Sequence, residues 1–307
     1  MNITIWIVIA LVCFVLPAAP LTNGGRRAPG RRALERHART IGLPLPAEVA
    51  GPVITRIRRR ERGMLTGGII AIILGGAAAI LLDGAETWGA LLIALAGTGT
   101  AFGGALAMAA HRPPPTTDQP VVARLRSAQL SDYLTSGERF GLLAGPAALV
   151  IGVAPGVLLL SRLPGWARGT SVTVGLIGTG LALLAWALSY LVLKRVLSAP
   201  ARSGSDLELA WDDAERALGL RQLANLAVAV TCVALGLWLV LMAQCLTSNG
   251  FYRQPETTSL TWNLTLVSLL VFGALIVTVA AGPVLAWITG ERKGYEQRRL
   301  WPNSVTS

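Results

Sequence analysis

Seven apolar stretches run near Ile3 to Leu21, Met64 to Leu82, Gly89 to Ala110, Phe140 to Leu160, Ser171 to Leu193, Leu223 to Leu246 and Leu264 to Thr289, and none contains Asp, Glu, His, Lys or Arg. Each meets the length of about 20 residues that a hydrocarbon core demands of a helix. In lipid every backbone N–H and C=O must be paired within the protein, so apolar segments of this length are helices. The expected fold is all-α and membrane-embedded, a bundle of seven transmembrane helices. Composition agrees: 53% of the 307 residues are hydrophobic and only 14% charged, too little charge to cover a soluble protein of this size.

The loops carry the orientation. Of 27 Lys and Arg, 24 fall in alternate segments: eleven between Thr22 and Gly63, four between His111 and Arg139, five between Lys194 and Gln222, and four after Gly290. The other connections hold only Arg162, Arg168 and Arg253. The positive-inside rule therefore predicts an N-terminus outside and a C-terminus in the cytoplasm, with Trp88, Trp166 and Trp262 at the outer interface and Trp287 at the inner one. Reading residues 1–21 as a cleaved signal peptide is disfavoured, because Met1 and Asn2 bring no positive side chain while the basic residues follow the apolar run.

This layout divides the chain into a first transmembrane helix (1–21), an Arg-rich cytoplasmic loop (22–63), a hairpin (64–110), a cytoplasmic loop (111–139), a second hairpin (140–193), a loop with an amphipathic helix (194–222), a third hairpin (223–289) and a basic tail (290–307). Pro52-Val53-Ile54-Thr55-Arg56-Ile57-Arg58 and Pro120-Val121-Val122-Ala123-Arg124-Leu125-Arg126 match in residue class and precede the first two hairpins. They raise the expectation of one helix followed by three parallel hairpin units.

Arg56, Arg58, Arg59, Arg60 and Arg62 form a polybasic run just before the second span, suited either to topogenic anchoring or to anionic lipid headgroups of the cytoplasmic leaflet. No aromatic side chain interleaves these arginines, which argues against nucleic acid as a partner. Further along, Leu207, Trp211, Ala214 and Leu218 recur at helical spacing, with Glu208, Asp212 and Glu215 on the opposite face and Asp212 and Arg216 placed for an ion pair. The preferred reading is a helix packed beneath the bundle; its alternatives are a helix lying on the membrane or docking a protein through the cytoplasmic loops.

Catalytic chemistry has few candidates. Motifs such as Gly-x-Ser-x-Gly, His-Glu-x-x-His and Gly-Lys-Ser/Thr are absent from the sequence, and the seventh span has no lysine for a Schiff base. All 16 Asp and Glu and both His lie outside the spans, whereas ion-coupled carriers usually place one at membrane depth. The acidic pair Asp212 and Asp213 reads as a solvated helix face, and neither metal nor cofactor is expected. Two patterns inside the spans remain. Gly67, Ala71, Gly75 and Ala79, and likewise Gly99, Gly103 and Ala107, are small-residue ridges suited to helix packing. Pro146 and Pro155 stand beside Gly145, Gly152 and Gly156 as a candidate helix break, ligand-lining or gating element, or else a rigid packing kink.

The Arg-rich loop, with Leu34-Glu35-Arg36-His37-Ala38-Arg39, then Gly42-Leu43-Pro44-Leu45-Pro46 and the run ending Arg58-Arg59-Arg60-Glu61-Arg62, resembles uncharacterised multi-pass membrane proteins of actinobacteria. The resemblance implies a bacterial plasma-membrane protein and brings no activity with it. The leading functional expectation is a non-enzymatic scaffold or accessory subunit. A carrier or flippase for an apolar or lipid-like substrate is the alternative, and an intramembrane enzyme the least favoured.

Overall fold

The computed structural model describes residues 27–81, 89–109, 122–123, 128–161, 165–198, 202–203, 205–247, 259–292 and 294–301. The expected first span lies outside them. Nine helices are described: α1 (Arg31–Ile41), α2 (Ala47–Leu81), α3 (Gly89–Ala109), α4 (Leu130–Tyr133), α5 (Ser136–Ser161), α6 (Gly165–Ser198), α7 (Asp206–Thr247), α8 (Ser259–Ile288) and α9 (Tyr295–Leu300). A two-residue antiparallel pairing joins β1 (Val122–Ala123) to β2 (Arg202–Ser203). Among the described residues, four helices hold segments long and apolar enough to cross a bilayer: Ser136–Leu158, Val172–Ser198, Asp206–Met242 and Leu266–Ile288. The protein is an all-helical, multi-pass membrane protein.

Two helices begin far upstream of the apolar runs within them. The Arg-rich segment and the second apolar run form one 35-residue helix, α2, and the amphipathic segment and the sixth run form the 42-residue α7. Neither junction holds a proline: Arg and Glu fill most of the first, and Ala, Leu, Arg and Gln most of the second, all good helix formers that carry the helix past Gly63 and Gly219. Where α1 does end, Gly42 takes a left-handed φ of 81° and caps the Ala38 carbonyl through its N–H. The prolines of Leu43-Pro44-Leu45-Pro46 then keep the chain extended until α2 starts.

The chain forms two compact units. The first comprises residues 1–135, 189–226 and 290–307. Its apolar core gathers Leu34 and Ala38 of α1, Leu43, Val49, Val53 and Ile57 of α2 and its approach, and Ala210, Trp211 and Ala214 of α7. In the same unit α2 and α3 lie side by side. The second unit, residues 136–188 and 227–289, packs α5, α6, α7 and α8 around Trp238, Phe272, Leu149 and Leu235. Trp238 fills space left open by two glycines: a Cβ on Gly156 or Gly175 would stand 2.6 or 2.7 Å from its ring. Its indole nitrogen donates to Thr179 Oγ1 at 2.9 Å, which satisfies its one polar atom within the core.

Helices from different expected hairpins also pack together. Helix α5, which opens the expected second hairpin, packs along α8, which closes the third. The seven-residue sequence match also does not carry a common structure. Ile54 and Thr55 are helical, whereas their counterparts Val122 and Ala123 are the β1 strand. Most of Pro120 to Arg126 lies outside the described residues.

Candidate functional site

The densest polar cluster surrounds the N-terminal half of α7. Glu208, Asp212 and Glu215 recur at i, i+4 and i+7 and so share one helix face, while Arg56 and Arg60, one turn apart on α2, present the complementary pair. Arg56 Nη2 lies 3.4 Å from Glu208 Oε1 and its Nη1 3.9 Å from Asp212 Oδ1. Arg60 Nη1 lies 3.8 Å from Glu215 Oε2. Asp212 also takes the ion pair with Arg216, at 2.8 Å, that the sequence spacing anticipates. Three guanidinium groups thus meet three carboxylates, and the cluster balances when His37 is neutral.

His37, carried on α1, reaches Glu215 Oε1 through Nε2 at 3.1 Å. The Glu215 side chain is only 4% exposed. Burial pushes its carboxyl up, but the His37 hydrogen bond and the nearby Arg60 and Arg56 outweigh burial and hold it below the ordinary value. It is a structural counter-ion.

Asp213 points elsewhere. Its side chain accepts hydrogen bonds from Tyr133 Oη at 3.0 Å and from Trp301 Nε1 at 3.1 Å, and the residue is 1% exposed. The expectation that Asp212 and Asp213 form a solvated face is therefore overturned. Asp213 is a buried acceptor joining α4 to the end of α9, and Asp212 is shared by two arginines. Trp211, fully buried, donates from Nε1 to the Pro44 carbonyl at 3.0 Å. Trp211 and Ala214 of the amphipathic stripe are buried in the unit's core, and Leu207 packs against it.

The tail after residue 290 completes this unit. Arg221 pairs with Glu296 at 2.7 Å, Arg292 with Asn225 Oδ1 at 3.2 Å, Tyr295 Oη donates to the Ser131 carbonyl at 3.1 Å, and Gln297 Nε2 to the Ile41 carbonyl at 2.6 Å. Segments far apart in the chain are thus stitched by charge-assisted and neutral hydrogen bonds, which bind more strongly where water is excluded. No group of three or more His, Cys, Asp or Glu is placed to hold a metal among the described residues.

The five arginines named from the sequence do not act as one patch. Arg56 and Arg60 turn to the facing row of carboxylates on α7. Arg58 and Arg59 are half-buried and Arg62 exposed, spread around the helix by its 100° step.

The small-residue ridges meet in the first unit. A Cβ on Gly67 would run into the Gly99 carbonyl and come within 2.9 Å of Gly103 Cα; one on Gly99 would strike the Cβ of Ala71. Gly63, which the ridge pattern omitted, lies against Gly103 and Ala107. Gly75 faces Leu92 and Leu95 rather than a small partner. Ala79 belongs to α2, its side chain outside the described residues. A second close approach, unmarked by a long ridge, brings Gly137 of α5 within a Cβ's reach of Gly282 of α8, 2.6 Å from its carbonyl oxygen.

Pro146 and Pro155 do not break their helix: α5 continues unbroken from Ser136 to Ser161. Pro146 has no N–H, which leaves the Leu142 carbonyl without its helical donor. Trp186 of α6 supplies the missing bond, Nε1 to the Leu142 oxygen at 2.8 Å. The freed backbone group is engaged by the protein itself rather than turned to a ligand.

Against protein-family models, curated proteins and solved structures, this chain finds no match.

Proposed function

We propose that this protein is a non-enzymatic scaffold or accessory subunit of a bacterial plasma membrane, with seven spans, its N-terminus outside and its basic segments in the cytoplasm. One observation supports this above the others: four of the five acids of α7 are spent on internal partners, Glu208, Asp212 and Glu215 on arginines and His37, Asp213 on Tyr133 and Trp301. Such a cluster fixes the shape of a polar unit and leaves its outer faces to interact. The distribution of 24 of 27 basic residues supports the orientation. The alternative, a carrier or flippase for an apolar or lipid-like substrate, has its candidate gating element at Pro146 and Pro155, and the carbonyl that Pro146 frees is already engaged by Trp186.

Gentle extraction from native membranes, followed by native mass spectrometry, tests the scaffold reading. A protein partner in fixed stoichiometry is the expected result. A chain that emerges alone with one tightly held lipid per copy overturns it in favour of the carrier.

A further inference from the structure

Helix α1 has two faces. Leu34 and Ala38 are buried in the first unit's core, and on the other side Arg32, Arg36 and Arg39 recur at i, i+4 and i+7, all exposed. That spacing keeps three guanidinium groups within an arc of about 60° and along about 10 Å of helix. Among the described residues the side chains of these three make no ion pair or hydrogen bond, whereas neighbouring Arg31 is matched by Glu35 at 3.0 Å. Where the stripe ends at Arg39, an open groove of about 600 Å³ begins, with Leu43, Pro44 and Leu45 among its lining and Glu35 and Arg39 beside them.

From this arrangement we infer that α1 and its groove form the docking surface for an acidic segment of a partner protein, its carboxylates meeting Arg32, Arg36 and Arg39 and one apolar side chain entering beside Leu43 and Leu45. The inference rests on the scaffold reading and names the surface that reading needs. Charge complementarity selects an anion, and bidentate guanidinium–carboxylate pairing suits Arg in particular. Geometry selects protein over lipid. The core that holds α1 reaches along α2 as far as Ile57, seven residues before the apolar run begins at Met64. That is about 10 Å along the helix, and about 8 Å at a tilt of 40°, just beyond a headgroup layer of about 5–7 Å. Nucleic acid is disfavoured because no aromatic residue belongs to the stripe or lines the groove.

The test uses the full chain in nanodiscs of neutral lipid and a fluorescein-labelled helical peptide carrying Glu at i, i+4 and i+7 and a single Leu, read by anisotropy. Wild type is expected to bind at about 10–100 μM. Arg32→Glu, Arg36→Glu and Arg39→Glu together should weaken binding at least about tenfold. The same charge change placed at exposed Arg195, Arg298 and Arg299 should weaken it less than about threefold. Replacing the peptide's Leu by Ser should cost about fivefold. No binding to wild type, or equal loss in both triple variants, overturns the proposal. So does loss of peptide binding when the discs contain phosphatidylglycerol, provided the Arg195, Arg298 and Arg299 variant is displaced equally, because lipid would then occupy the stripe. A stable native complex that survives the α1 substitutions would leave the scaffold reading in place without this surface.

Discussion

Trp186 donates its indole hydrogen to the Leu142 carbonyl at 2.8 Å, the oxygen that Pro146, four residues on, leaves without a helical donor. Proline and tryptophan therefore work as a pair: one frees an acceptor and the other fills it. In hydrocarbon an unpaired carbonyl is costly, so the pairing explains how α5 tolerates a proline without breaking.

Trp186→Phe is expected to destabilise the protein by about 1–3 kcal/mol, the penalty for a buried acceptor left unmatched. Pro146→Ala restores the backbone N–H, and in that background the cost of Trp186→Phe should fall below about 1 kcal/mol. Reversible unfolding in mixed micelles, run as a double-mutant cycle, reads the coupling directly. Additive losses would show that the indole does not serve the proline.

Glycines at the α2–α3 contact are expected to resist substitution. Gly67→Val forces a branched side chain into the Gly99 carbonyl and should cost about 3 kcal/mol or more, separating the two helices. Gly180→Ala is the control. A Cβ there meets nothing within 4 Å, and better helix propensity should leave stability unchanged or raise it by up to about 1 kcal/mol. Thermal unfolding of the two variants separates a packing role from a general intolerance of change.

Acid should loosen the first unit through Glu215. Its folded value lies below the ordinary 4.5, so its stabilising contribution is complete above about pH 4.5 and is lost as pH falls through the lower folded value. Glu215→Gln is expected to lose about 3 kcal/mol at pH 7, where His37 and Arg60 face a neutral amide. Below pH 4.5 its stability should change less steeply with pH than the wild type's. Denaturation curves at neutral and acidic pH in a non-ionic detergent check both slopes.

Asp213 holds the tail through Trp301. Asp213→Ala leaves the Tyr133 hydroxyl and the Trp301 indole without their shared acceptor, and Trp301→Phe removes one donor alone. Both should speed tryptic cleavage after Arg298 and Arg299, Asp213→Ala more strongly, by about tenfold or more. Unchanged cleavage would mean that the remaining bonds of α9 hold it unaided.

The apolar helices were legible in the sequence because their signal is local: about 20 residues without a charge need no partner to be read. Gly67, Gly99 and Gly103 were legible for the same reason, as a repeat every fourth position. The polar cluster was not. Asp213 reads as one half of an acidic pair with Asp212, and its acceptor role depends on Tyr133 and Trp301, 80 and 88 residues away. Arg56 reads as part of a basic run until Glu208, 152 residues on, is placed opposite it. One clue was available, since Arg56 and Arg60 share the one-turn spacing of Glu208 and Asp212, and complementary stripes at equal spacing can pair between helices. Pro146 likewise announces a freed carbonyl but not the Trp186 that fills it.

The proposed orientation puts the polar unit built by α1, α4, the start of α7 and the tail on the cytoplasmic side. Single cysteines at the exposed positions Glu35, Gln129, Ser205 and Arg299, in a chain without its own cysteines, test it with a membrane-impermeant maleimide. All four are predicted to stay unlabelled in intact spheroplasts and to label in inverted vesicles; labelling of any one of them from the outer face contradicts the account.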